Sequence, residues 1–166
     1  MEHYHSNIET SRRYFPEICT THTFDEKIEN IKRAQKEGLF VCSGGIIGMG
    51  ETWEDRIDMA VTLAELKIYS IPLNALMPIK GTPLGHFKQI SQEDILRTIA
   101  LFRFINPEAD IRLAAGRALL HNNGEIAFYS GANAMITGNM LTTSGSTIAS
   151  DRAMLTRMRR DVTFSS

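Results

Sequence analysis

Cysteine is scarce in this chain. Only Cys19 and Cys42 occur among 166 residues, too few for a disulfide framework, so the sequence reads as a protein of the reducing cytoplasm. Net charge is scarce too. The 18 basic and 19 acidic residues leave a formal −1, which argues against nucleic acid or an anionic membrane surface as a main partner. No apolar run approaches the roughly 20 residues of a membrane span, and the polar N-terminus has no signal-peptide pattern. The basic run Arg157 to Arg160 reads as a solvated last helical turn, and low-complexity segments and close repeats are absent. What is left is an ordinary globular composition, 43% hydrophobic and 22% charged, with enough apolar residues for a sizeable core.

Helix starts are well marked. Thr23-Phe24-Asp25-Glu26 has capping-box spacing ahead of Ile28, Ile31 and Ala34, and Gly38 closes that helix. Thr52-Trp53-Glu54-Asp55 opens a second, with Ile57, Ala60, Val61 and Ala64 on one face. Ser91 opens a third, carrying Ile95, Ile99 and Phe102 and stopping at Asn106-Pro107. Shorter helices fit 125–130 and 148–160. Between them lie apolar strand candidates at 39–42, 70–77, 110–114 and 134–137, and 3–9 reads as the exit of another strand. Strands alternating with amphipathic helices imply βαβ units and a parallel sheet.

The period of two assigns faces. Asn74 lies between Leu73 and Ala75, Arg112 between Ile111 and Leu113, and Cys42 follows Val41; His5, Asn7 and Glu9 share one face of the first strand. Each strand thus sends a polar side chain away from its helix. In an open sheet covered on both faces those groups would be buried without partners, whereas a closed barrel gathers them at one interior site. The expected fold is therefore α/β, the C-terminal portion of a (β/α)8 TIM-type barrel. A complete barrel takes roughly 250 residues, and the strands counted here make up roughly half to five-eighths of one.

The run Val41 to Glu51 holds the densest chemistry. An apolar strand passes into Gly44, Gly45, Gly48 and Gly50 and closes on Glu51, a ledge on which a backbone can approach a flat or anionic ligand. Cys42 can be a buried core thiol or a thiolate ligand at a strand end; iron–sulfur clusters need about four such ligands. Arg112 on an inward position must be paired, either with a substrate carboxylate or with Glu9. Residues 141–146 fit an anion-binding loop or a polar turn with an N-cap. His3 and His5 share a face and could form a metal pair, but His22, His86 and His121 fall in loops or helix flanks.

Taken together, these segments resemble the C-terminal part of the biotin synthase family, within the radical S-adenosylmethionine superfamily. Tyr4-His5-Ser6-Asn7-Ile8-Glu9-Thr10-Ser11 and Cys42-Ser43-Gly44-Gly45-Ile46-Ile47-Gly48-Met49-Gly50-Glu51-Thr52 are similar to two of its motifs. Ile71 to Asn74, Lys80 to Leu84, Ile111 to Arg117, Gly131 to Asn133 and Leu141 to Thr143 follow in the family's order. The resemblance implies sulfur insertion into dethiobiotin to give biotin. A 4Fe–4S cluster would cleave S-adenosylmethionine to a 5′-deoxyadenosyl radical, and an auxiliary 2Fe–2S cluster would donate the sulfur. It also implies roles. Cys42 and Arg112 would be ligands of the 2Fe–2S cluster. Asn7, Glu9, Gly44, Ile46, Gly48 and Glu51 would hold S-adenosylmethionine, the last four as a G-x-I-x-G-x-x-E segment. Asn7 and Asn74 would meet the substrate's ureido ring, and Thr142 and Thr143 its carboxylate. A reductase or flavodoxin-type electron donor and a homodimer are the partners implied.

Two departures stand out. Ser6 occupies a position where the family usually has histidine, and no C-x-x-x-C-x-x-C motif occurs in these 166 residues. Residues 1–166 are therefore expected to be the C-terminal part of a radical-SAM barrel domain whose N-terminal half lies elsewhere. On that expectation the isolated chain is inactive. The alternative from another class is a non-catalytic half-barrel that keeps the ledge as a ligand-binding surface.

Overall fold

The computed structural model describes residues 2–138 and 146–161. Strand and helix alternate along the chain: β1 (His3–His5), α1 (Phe15–Ile18), α2 (Phe24–Lys36), β2 (Phe40–Cys42), β3 (Gly45–Ile47), α3 (Trp53–Glu65), β4 (Ser70–Ala75), α4 (Gln92–Ile105), β5 (Asp110–Leu113), β6 (Ala134–Met135) and α5 (Ile148–Arg157). Two 3₁₀ segments, Arg117–Leu119 and His121–Tyr129, join β5 to β6. Every strand pairing is parallel, in the order β1-β2-β4-β5-β6, with β3 also on β4. Parallel strands separated by helices are the architecture of a (β/α)8 barrel, of which this chain forms part.

The caps are where the sequence puts them. Thr23 Oγ1 accepts from the Glu26 amide at 3.2 Å and the Glu26 carboxylate accepts from the Thr23 amide at 2.7 Å; Thr52 and Asp55 repeat the exchange at α3. Such a cap stabilises a helix by about 1 kcal/mol. Ile28 and Ile31 of α2, Met59 and Leu63 of α3, and Ile99 and Phe102 of α4 are buried with Val41, Ile71, Leu73, Ile111 and Leu113 of the strands. The core therefore lies on one side of the sheet.

Three expectations need correction. First, α3 is turned from the face its apolar residues predict: Asp55, Arg56, Met59, Ala60 and Leu63 are buried, while Ile57 and Val61 are exposed. Met59, Ala60 and Leu63 enter the core on that face, and Asp55 and Arg56 find polar partners beside them on neighbouring segments. Second, β2 ends at Cys42 as expected, but the glycine run that follows is not all loop. After a break at Ser43-Gly44 a further strand, β3, begins at Gly45 on the same neighbour β4, so Gly45 is a strand residue and Gly44 lies in the break before it. Their missing side chains serve strand packing: a Cβ on Gly44 would overlap the Pro72 carbonyl oxygen, and one on Gly45 would sit 2.6 Å from the Glu9 carbonyl oxygen. Third, the C-terminal basic run does more than meet water. Arg157 pairs with Glu125, and Arg160 donates to the Phe128 carbonyl at 3.3 Å.

Candidate active site

Side chains that alternate with the core residues converge on the opposite face of the sheet, in two layers. The deeper layer is a hydrogen-bonded line. Ser70 Oγ donates to Cys42 Sγ at 3.2 Å and accepts from Arg112 Nε at 2.8 Å. Strand register explains the convergence: Cys42 is level with Ser70, and Ser70 with Asp110, two residues before Arg112. Arg112 Nη2 also lies 3.3 Å from Asp110 Oδ2, and Asn133 donates to the other Asp110 oxygen at 2.9 Å. Cys42 and Ser70 are buried. Cys42 thus sits within the sheet and not at its mouth, because β3 extends along β4 beyond it.

Arg112 does not pair with Glu9. Two strands separate β5 from β1, and Glu9 instead faces Lys27 Nζ at 3.7 Å. A cleft of about 650 Å³ opens beside Arg112, lined by Asp110, Met135, Asp151 and Arg152 among others.

The upper layer lies at the C-terminal strand ends. Asn74 follows Ser70 by four residues on the same face, about 13 Å along an extended strand. Its carboxamide donates to the Gly45 carbonyl at 3.2 Å and accepts from the Ala115 amide at 3.1 Å. Asn7 Oδ1 accepts from the Gly44 amide at 3.1 Å. Two carboxamides from different strands therefore flank the Gly44-Gly45 dipeptide. Glu9 adopts φ 67°, a left-handed conformation unusual for glutamate. Its carbonyl accepts from the Ile46 amide at 2.8 Å. Burial pushes the Glu9 carboxyl up, against the opposing pull of Lys27.

Beyond Ile47 the chain turns through Gly48 and Gly50, at φ 89° and 100°. Glu51 organises this ledge from beneath: its carboxylate accepts the Gly48 amide at 2.8 Å and the Met49 amide at 2.7 Å. Tyr14 donates its hydroxyl to the Met49 carbonyl at 2.7 Å. Ile46 and Gly48 keep partial access to solvent and Gly50 is exposed, while Glu51 is buried.

Among the candidate residues, Cys42 and Arg112 come together through Ser70, and Asn7, Glu9, Gly44, Ile46 and Asn74 gather at the mouth; Gly48 and Glu51 form the adjoining turn. Thr142 and Thr143 lie outside the described residues. His3 and His5 stack with ring centroids 6.3 Å apart, and no group of three or more His, Cys, Asp or Glu able to hold a metal occurs among the described residues. Sequence reasoning missed Ser70 and Asp110. The period of two could have found both, since Ser70 shares the face of Asn74 and Asp110 that of Arg112.

A (β/α)8-type sheet with a buried thiol and a guanidinium on its helix-free face, below two carboxamides, defines a barrel-enzyme class of site. The family model for the Biotin and Thiamin Synthesis associated domain matches residues 72–159, and the chain belongs to that family. Biotin synthase of Alkaliphilus metalliredigens is 64% identical over 155 residues, covering 93% of this chain and 49% of that protein. Biotin synthase of Clostridium beijerinckii is 64% identical over 152 residues, covering 92% and 48%. The chain spans about half the length of the curated relatives it matches. Among solved structures, methylornithine synthase (PylB) superposes with a TM-score of 0.81 at 19% identity, covering 98% of this chain and 52% of that one. The HMG-CoA lyase from Brucella melitensis gives 0.58 at 14% identity, covering 96% and 59%. These likenesses carry the fold, and the sequence relatives support a biotin synthase-like role. No helix among the described residues is long and apolar enough to cross a membrane.

Proposed function

We propose that this chain forms the C-terminal part of a barrel enzyme that converts dethiobiotin to biotin by sulfur insertion, through a 5′-deoxyadenosyl radical mechanism. The observation that carries the reading is the line Cys42–Ser70–Arg112, with Cys42 and Ser70 buried and Arg112 half-buried, below the Asn7 and Asn74 carboxamides. The donor set suits a partial cluster site. A thiol and a guanidinium held to one serine hydroxyl could occupy two positions of a 2Fe–2S cluster, which would supply the inserted sulfur, and the remaining ligands would come from outside these 166 residues. A 4Fe–4S cluster does not fit this chain, which lacks the C-x-x-x-C-x-x-C thiolates.

Within that reading each residue has a physical task. Ser70 orients Arg112 through Nε, leaving the far edge of the guanidinium turned toward Asp110. Asn7 and Asn74 present carboxamides, each able to donate and accept, at the height where a cyclic urea would be recognised. Glu9 offers carboxylate oxygens suited to ribose hydroxyls, and the backbone at Gly44, Ile46 and Gly48, shaped by Glu51, offers close approach to an adenine edge. Thr142 and Thr143 would receive the substrate carboxylate. A reductase or flavodoxin-type electron donor, a homodimer and a cytoplasmic setting belong to the same reading.

The test is turnover of the full-length protein carrying this chain, reconstituted anaerobically with iron and sulfide and supplied with dethiobiotin and S-adenosylmethionine. Biotin is expected from the wild type and not from Cys42→Ala. No biotin from the wild type, or undiminished biotin from the variant, refutes the reading.

A further inference from the structure

We propose that Arg56 is a positioning residue for the Gly48–Gly50 ledge, acting through Glu51 without touching the ligand; the consequence for ligand rests on the adenosyl reading above. The Glu51 side chain is 0% exposed. A polar group so enclosed is costly without a hydrogen-bonding partner, and Arg56 is that partner: Nε and Nη2 both approach Glu51 Oε1 at 2.8 Å. The carboxylate in turn accepts the Gly48 and Met49 amides, so the orientation of those peptide units depends on Glu51 being held in place.

Arg56 is itself over-determined. Its Nη1 donates to Thr98 Oγ1 of α4 at 3.2 Å, and its guanidinium lies 4.6 Å from the centre of the Trp53 ring. Thr98 is anchored in turn by donating to the Asp94 carbonyl at 2.7 Å. A continuous chain therefore runs from α4 through α3 to the backbone at the strand mouth. It also accounts for the unexpected rotation of α3, which turns Arg56 inward at the cost of leaving Ile57 and Val61 in solvent.

The test uses the full-length protein with Arg56→Met, Arg56→Lys and Thr98→Val. Hydrogen exchange is followed at the Gly48 and Met49 amides, and affinity is measured for S-adenosylhomocysteine by equilibrium dialysis. Arg56→Met is expected to speed exchange at those two amides about tenfold or more, and to weaken binding about tenfold, the scale of one hydrogen bond to a charged group. Arg56→Lys should recover most of both, and Thr98→Val should shift exchange about threefold. A fall in melting temperature with unchanged exchange at the two amides would overturn the proposal, as would a lysine variant no better than methionine. If Arg56→Met does not fold, Thr98→Val decides: exchange at wild-type rates overturns the proposal. A wild type that exchanges as expected but binds no S-adenosylhomocysteine refutes the adenosyl reading and leaves the positioning role supported by exchange.

Discussion

Replacing Asp55 with asparagine should destabilise the protein by about 3 kcal/mol at neutral pH. The Asp55 carboxylate is 2% exposed and ties three segments together. It accepts from Ser11 Oγ at 2.6 Å, from Arg13 through Nε at 3.0 Å and through Nη2, and from the Thr52 amide at 2.8 Å. The capping share is worth about 1 kcal/mol, and hydrogen bonds to a buried charged group roughly 1.5–3 kcal/mol. The Arg13 pairing is discounted, because that side chain is 64% exposed and screened by water. Burial raises the Asp55 carboxyl, but the bonds from Arg13, Ser11 and Thr52 outweigh it and hold the group well below the ordinary carboxylate range. A depressed folded value means the contribution is complete above the unfolded pKa, about 3.9, and disappears as pH falls toward the folded one. Urea unfolding should therefore show a gap between wild type and Asp55→Asn that is constant from about pH 5 to 8 and narrows progressively as pH falls below about 4. Asp58→Asn, whose carboxylate accepts the exposed Arg12 amide at 3.2 Å, should stay within about 0.5 kcal/mol. A gap below about 1 kcal/mol at pH 7, or one indifferent to acid, would refute the reasoning.

Other outcomes follow from the same geometry. Gly44→Ala should prevent stable folding, since the added methyl has only the Pro72 carbonyl to displace; a cooperative melt near the wild-type temperature would contradict this. For Glu9, burial raises the folded pKa, so the wild type loses stability as pH rises through that value. Glu9→Gln should accordingly gain in melting temperature relative to wild type between pH 4 and pH 7, and a parallel pair of pH profiles would count against it. The isolated 166-residue chain, carrying no C-x-x-x-C-x-x-C, should form no 5′-deoxyadenosine after anaerobic reconstitution, as read by chromatography; stoichiometric product would sink that view.

Much of the fold was legible because it is written locally. Capping boxes at Thr23 and Thr52 and the period of two in the strands depend on near neighbours alone, and they put Cys42, Asn74 and Arg112 on the right face. What was misread depends on distant partners. Nothing near Asp55 and Arg56 in sequence signals that Ser11, Arg13 and Thr98 will draw them inward, so an apolar stripe misassigned the face of α3. Gly44 and Gly45 look like a loop because glycine usually marks one. Only the close approach of Pro72 to Gly44 and of Glu9 to Gly45 shows that both pack inside the sheet, Gly45 as the first residue of β3. Ser70 was overlooked for a different reason: a single serine opening an apolar strand is inconspicuous until its register with Cys42 is known.

The helix-free face carries costs that a purely structural sheet would avoid. Ser70 is buried but spends its hydroxyl on both a thiol and a guanidinium, where an alanine would fill similar space without needing partners. Glu9 combines a left-handed backbone conformation, of order 1–3 kcal/mol when held by its surroundings, with a carboxyl that burial makes harder to ionise. Asn7 and Asn74 satisfy backbone groups at a break in the strand that an uninterrupted ladder would have satisfied by itself. Ser70, Asn7 and Asn74 lie within the two layers of the helix-free face, whereas the core between strands and helices is packed largely with aliphatic and aromatic side chains. Concentration of unfavourable features on one surface, offset by a well-formed core on the other, is the pattern expected where a fold gives up stability to hold a reactive site.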